Sequence, residues 1–174
     1  EDVDAVLEKV TAHGGEVTVP AMDVLDRGRT AFFSDPTGAQ LALWQPGAHA
    51  GSGLANEPGA FCWNELASRD IRRAAEFFTE IFGWTYQENP ASPSPYLIIQ
   101  NQGRSNGGLI QMNAEWGEMP PHWTVYFAVD EIQDAVERLQ ELGGVLHHGP
   151  FDTPVGPLAA VSYTHLRAHE TVLD

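Results

Sequence analysis

One part of this sequence repeats, and that limits the fold more than any other feature. Val3–Val17, VDAVLEKVTAHGGEV, aligns without a gap on Ile132–Leu146, IQDAVERLQELGGVL. A segment used twice is a supersecondary unit, so the chain is built from modules. In the second copy Ile132, Ala135, Val136, Leu139 and Leu142 fall on one helical face, and Val3, Val6, Leu7 and Val10 do the same in the first. Asp130 stands where it can cap the second helix, and Gln133 then completes a capping-box pattern. Gly14–Gly15 and Gly143–Gly144 close the helices, since glycine accepts the left-handed conformation at a helix end.

After each helix come a short run, a proline-containing loop and a β-like stretch, GRTAFFSDP in one copy and GPLAAVS in the other. The first copy continues through a D-P-x-G turn at Asp35–Gly38 into a strand through Trp44. The second loses both features after Ser162 and reads YTHLRAHETVLD. A module without its last strand keeps an unpaired sheet edge. Between the copies, Phe61–Leu66 reads as a strand, and Ile71, Ala74, Ala75, Phe78, Ile81 and Phe82 form an apolar helix face closed by Gly83. WTYQE, PYLIIQ and GGLIQM follow as short strands between turns, giving β-α-β-β-β. The pattern starts again at WTVYFAV, from Trp123.

Composition narrows the function. A hydrophobic content of 43% suits a globular core rather than a disordered chain. The net charge of −15 repels phosphate backbones and anionic lipid, so neither nucleic acid nor membrane is expected as a partner. No apolar run reaches the ~18 residues of a membrane span, and no secretion signal opens the chain, so a cytoplasmic location is expected. The lone Cys62 excludes an internal disulfide and, set in AFCWNEL, reads as a buried small side chain. GRSNGG at Gly103–Gly108 lacks the lysine and helix of a phosphate-binding loop, and no G-x-S-x-G elbow occurs.

Tandem β-α-β-β-β modules carrying RDIRRAAEFFTEIFGW, VYFAVDEIQDAVERLQELGG and SDPTGAQLALWQPG resemble the vicinal oxygen chelate superfamily of glyoxalase, bleomycin-resistance and extradiol dioxygenase proteins. More narrowly, FCWNELASRD with PHWTVYFAVDEI resembles its two-domain actinobacterial glyoxalase-like or hydroxylase members. The resemblance implies an α+β fold of tandem modules whose cupped sheets enclose a cavity. It divides the chain into a partial module at 1–46 lacking its opening strand, a linker at 47–59, and a second glyoxalase-like domain at 60–162, with modules 60–113 and 122–162. The chain then reads as a fragment, opening at Glu1 without Met. Residues 163–174 resemble translated adapter sequence and read as a non-native tail, so His165 and His169, although spaced like a helical zinc pair, are expected to be foreign to the fold.

Metal-dependent members place ligands at fixed strand positions. By that resemblance the positions fall on Trp63, Thr124 and Ala42, of which Trp and Ala cannot ligate a divalent ion and Thr is a poor ligand. No metal site and no cofactor are therefore expected, a divalent ion being implied by the family alone. Glu65 shares a strand face with Trp63 because side chains alternate. In an aromatic cavity it is either a general base or a hydrogen-bond partner of a neighbouring strand or indole. His122, Thr124, Tyr126 and Gln111 are candidate substrate-binding residues beside Trp63, with Tyr96 a weaker one. His147 and His148 are adjacent and point to opposite faces, and His13 at a helix end suits the helix dipole. Two functions stay open: a glyoxalase-like enzyme acting on a small carbonyl or oxygenated metabolite with Glu65 as base, and a metal-free protein that sequesters a drug-like ligand as bleomycin-resistance relatives do. In both the partner is a small molecule, and a homodimer is compatible with either.

Overall fold

The computed structural model describes residues 2–153 and 155–162. They form two compact units, one of residues up to Asn56 with Phe61–Phe127, the other of Glu57–Ala60 with the described residues from Ala128. In the first unit helix α1 (Val3–Ala12) precedes strands β1 (Glu16–Val24), β2 (Gly28–Ser34) and β3 (Gln40–Pro46), an antiparallel sheet in the order β1-β2-β3. Strand β4 (Phe61–Ser68) and helix α2 (Ile71–Phe82) follow, then β5 (Thr85–Glu88), β6 (Tyr96–Asn101), β7 (Arg104–Gln111) and β8 (His122–Phe127). These strands make a five-stranded sheet in the order β5-β6-β7-β4-β8, parallel only between β4 and β7. The second unit holds α3 (Ile132–Glu141) and the antiparallel pair β9 (Val145–Thr153) and β10 (Gly156–Ser162). The architecture is α+β, as the sequence implies. Strand β8 belongs with the first unit because it is hydrogen-bonded to β4 along its length. The tail at 163–174, with His165 and His169, lies outside the described residues.

The repeated helices end alike. Gly15 N–H donates to Val10 O at 2.9 Å and Gly14 N–H to Thr11 O at 3.3 Å; Gly144 and Gly143 repeat this on Leu139 O at 2.9 Å and Gln140 O at 3.0 Å. Each is a Schellman closure. The second glycine of each pair has its own reason. A Cβ on Gly15 would lie 2.8 Å from Val10 Cγ1, and one on Gly144 would lie 2.5 Å from Leu139 Cγ. Val10 and Leu139 are equivalent in the repeat, so the same helix position crowds a Cβ in both, although Val10 is buried and Leu139 only half-buried.

The helix starts differ. Asp2 Oδ1 accepts from Ala5 N–H at 3.2 Å, and Asp70 Oδ1 from Arg73 N–H at 3.0 Å. The expected cap of α3 by Asp130 is not formed. The helix starts at Ile132 with Glu131 as N-cap, which makes no side-chain bond, so Asp130 stands one residue too early.

Side chains decide which face of the five-stranded sheet is covered. Ile71, Ala74, Ala75, Phe78 and Ile81 of α2 are buried against Leu66, Ile99 and Leu109 of the sheet. Trp123 of β8 sits edge-on to Phe78 at 5.8 Å. Phe77 lies off the expected stripe yet is also buried, its ring 6.1 Å from Phe33 of β2. The helix thus fills core on two sides; the five-stranded sheet carries half-buried side chains on its other face, which α2 leaves open.

Candidate functional site

Register assigns that open face. Glu65 pairs with Thr124 of β8 on one side and Gly108 of β7 on the other; Trp63 pairs with Tyr126, and Ala67 with His122. Tyr96 pairs with Ile110, and Ile98 with Gly108. Alternation then puts Trp63, Glu65, Thr124, Tyr126, His122 and Tyr96 on one face, opposite Leu66, Leu109 and Trp123 in the core.

Two hydrogen bonds organise the cluster. Tyr126 Oη–H donates to Glu65 Oε1 at 3.1 Å. Trp63 Nε1–H donates to Tyr96 Oη at 3.1 Å. Having accepted from the indole, Tyr96 keeps its own proton, with the Glu65 carboxylate beside it as an acceptor. Gly108 makes this arrangement possible: a Cβ there would collide with the Tyr96 hydroxyl. Burial first, and the Glu65 charge second, hold the phenols of Tyr96 and Tyr126 well above the usual tyrosine range. Both therefore remain protonated donors at neutral pH. Tyr86 is raised too, but by burial, with no contribution from Glu65.

The other expected residues fall out differently. Thr124 lies beside Glu65 by register. His122 lies on the same face one pair beyond; its Nδ1 is 2.8 Å from Pro120 O and its ring 6.1 Å from Trp116. Arg69 holds the loop that carries Trp116, donating to Gly117 O at 2.6 Å, Met119 O at 3.1 Å and Asn113 O at 3.4 Å. Gln111 is on the opposite face. Its Oε1 accepts from Ile71 N–H at 3.3 Å, and its Nε2 donates to Arg69 O at 2.5 Å and Met112 O at 3.3 Å. Gln45 does the same for α1, accepting from Val3 N–H at 2.8 Å. Each glutamine lies at or one residue before the end of the last strand of its module and caps the first N–H of that module's helix. The amide of Gln111 is thus fully engaged with backbone, and it takes no part in the cluster. Cys62 Sγ contacts Tyr126 O at 3.4 Å, a half-buried thiol behind the cluster.

The donor set does not fit a divalent metal. Trp63 and Thr124 occupy the expected ligand positions on this face, Glu65 is its single carboxylate, and one oxygen of that carboxylate already accepts from a phenol. Among the described residues no three His, Cys, Asp or Glu side chains converge.

Comparison with known proteins agrees with the topology. Residues 63–167 match the model of the glyoxalase/bleomycin resistance protein/dioxygenase superfamily. The chain belongs to that superfamily. It is 38% identical over 164 residues to CFP32 of Mycobacterium tuberculosis (strain CDC 1551 / Oshkosh), provisionally named a glyoxylase, covering 93% of this chain and 62% of that protein. It is 33% identical over 165 residues to the anthracycline biosynthesis protein DnrV of Streptomyces peucetius, covering 95% and 60%. The chain therefore spans about three-fifths of the length of these curated relatives. Among solved structures, the Mn(II)-bound glyoxalase from Novosphingobium aromaticivorans superposes with a TM-score of 0.57 at 19% identity, covering 91% of this chain and 57% of that one. The 2,3-dioxygenase LapB from Pseudomonas sp. KL28 gives 0.56 at 15% identity, covering 93% and 69%. At such identities the likeness is one of fold. The protein is a glyoxalase-like member of the superfamily, and among the described residues no helix is long and apolar enough to cross a membrane.

Proposed function

We propose that this glyoxalase-like protein is an enzyme that moves a proton on a small carbonyl-bearing or oxygenated metabolite, with Glu65 as the base. The observation that carries the reading is the hydrogen bond from Tyr126 to Glu65 Oε1, beside a second phenol, Tyr96, that has a proton left to give. Glu65 is the carboxylate of this face, with Tyr126 and Tyr96 as its phenol neighbours, and so is the group placed to accept a proton. In the step envisaged, a C–H bond next to the substrate carbonyl breaks and its proton passes to the Glu65 carboxylate. The electron pair moves onto the carbonyl oxygen, which becomes an enolate. Tyr96, protonated by virtue of its burial, donates a hydrogen bond to that oxygen. Return of a proton from Glu65 to the α-carbon, as the electron pair moves back from oxygen, completes an exchange. Trp63, Thr124 and His122 line the same face and position the substrate. The cytoplasmic location and the small-molecule partner belong to this reading.

The poor fit to a metal favours a second reading, in which the same face sequesters a small molecule without turning it over. Incubation of a panel of small carbonyl compounds with the protein in D₂O, followed by proton NMR, separates the two. The enzymatic reading expects deuterium to enter the carbon next to the carbonyl of at least one compound, and Glu65→Gln to abolish this. Binding of a compound with no exchange in the wild type would rule for sequestration.

A further inference from the structure

We infer that the open face around Glu65 selects ligands carrying a positively charged amine, an inference that rests on this face being the site but not on Glu65 moving a proton. Along the paired stretches Trp63–Ala67, Tyr96–Ile98, Gly108–Ile110 and His122–Tyr126, Glu65 is the single acid and no lysine or arginine occurs. A carboxylate or phosphate ligand placed here loses hydration, faces Glu65, and finds no counter-charge. A cation meets the opposite situation. Glu65 Oε1 is held by Tyr126, which fixes the carboxylate and its negative charge on this face, where it attracts a cation.

Trp63, Tyr96 and Tyr126 are all half-buried, so part of each ring remains accessible. The Trp63–Tyr96 and Tyr126–Glu65 hydrogen bonds gather them about one carboxylate. Aromatic faces attract a cation through their quadrupole, Trp most strongly, and two or three rings around an acid suit alkylated ammonium groups. The whole chain adds long-range attraction, since its net charge is −15. The cleft of about 620 Å³ lined by His13, Arg73, Glu76 and Glu80 on the helical side mixes both signs and offers no such preference. For a substrate that bears both carbonyl and amine, a fixed positive charge near the carbonyl also makes the neighbouring C–H more acidic, which ties this preference to the proposed chemistry.

The test is calorimetric or NMR titration at low ionic strength with three probes of similar shape: benzyltrimethylammonium, its neutral isostere neopentylbenzene, and benzoate. The expected order is benzyltrimethylammonium at least about tenfold tighter than neopentylbenzene, with benzoate not binding. Glu65→Gln and Trp63→Leu each weaken the cation by about tenfold more than they weaken neopentylbenzene, while Trp63→Phe, which keeps a ring, recovers part of that difference. Equal affinity for cation and isostere, measurable binding of benzoate, or undiminished cation binding by folded Glu65→Gln overturns the inference. Benzyltrimethylammonium has no carbonyl, so failure here leaves the deuterium-exchange result standing, and failure of exchange leaves this one standing.

Discussion

Glu65 acts on its neighbours as much as they act on it. Its charge helps to hold Tyr96 and Tyr126 in their protonated forms, whereas Tyr86 is held by burial. Glu65→Gln is therefore expected to lower the ionisation pH of Tyr96 and Tyr126 and to leave Tyr86 where it was, read by phenol-specific NMR signals on raising the pH. The sign of the linkage follows. A phenol whose folded pKa is raised contributes stability that is intact below its unfolded value of about 10 and is lost as pH climbs from there towards the folded value. The wild-type protein should lose stability above about pH 10 more steeply than Glu65→Gln does, in denaturant titrations across that range. Gly108→Ala tests the other support: the new methyl displaces Tyr96, and the Trp63 indole N–H signal should move as its acceptor leaves. Strand parity made the shared face of Trp63, Glu65, Thr124 and Tyr126 legible in the sequence. The partnership of Tyr96 with Trp63 was not, because it depends on which strand lies beside which. The one available hint was the Gly107–Gly108 pair, which a reader takes for a hairpin loop but which makes room for a phenol.

The elements show what the repeat could and could not foretell. The Schellman closures at Gly14–Gly15 and Gly143–Gly144 follow directly from the aligned glycines. The glutamine caps do not, because Gln45 and Gln111 lie 42 and 40 residues from the N–H groups they accept from. A glutamine at the end of an apolar strand reads as a cavity residue until the parallel pairing of β4 with β7 brings it to the start of α2. Gln111→Leu and Gln45→Leu should each lower stability by about 1–2 kcal/mol, the cost of a lost cap at a partly buried helix start, measured by chemical denaturation. Gln111→Leu should at the same time leave probe binding at Glu65 unchanged. The uncapped start of α3 arises from a helix that begins one residue later than Asp130 requires.

On the scale of the molecule, stability is unevenly spread. Among the described residues α2 buries six side chains, whereas α3 buries Val136 alone. Amide hydrogen exchange should accordingly be slower in Ile71–Phe82 than in Ile132–Glu141, since local opening is easiest where few apolar contacts are made. The family was readable from the helix, glycine and turn patterns. The chemistry was not, since one fold serves many reactions and the deciding features are side-chain contacts across strands. Central to this account is that function resides on the open face of the five-stranded sheet, around Glu65. The most direct measurement is an amide and indole NMR titration of the intact chain with benzyltrimethylammonium and the carbonyl panel. The account predicts shifts concentrated at the Trp63 indole and at Glu65, Tyr96 and Tyr126. Shifts confined to the helical cleft of His13, Arg73 and Glu76, with the Trp63 indole unmoved, would contradict it.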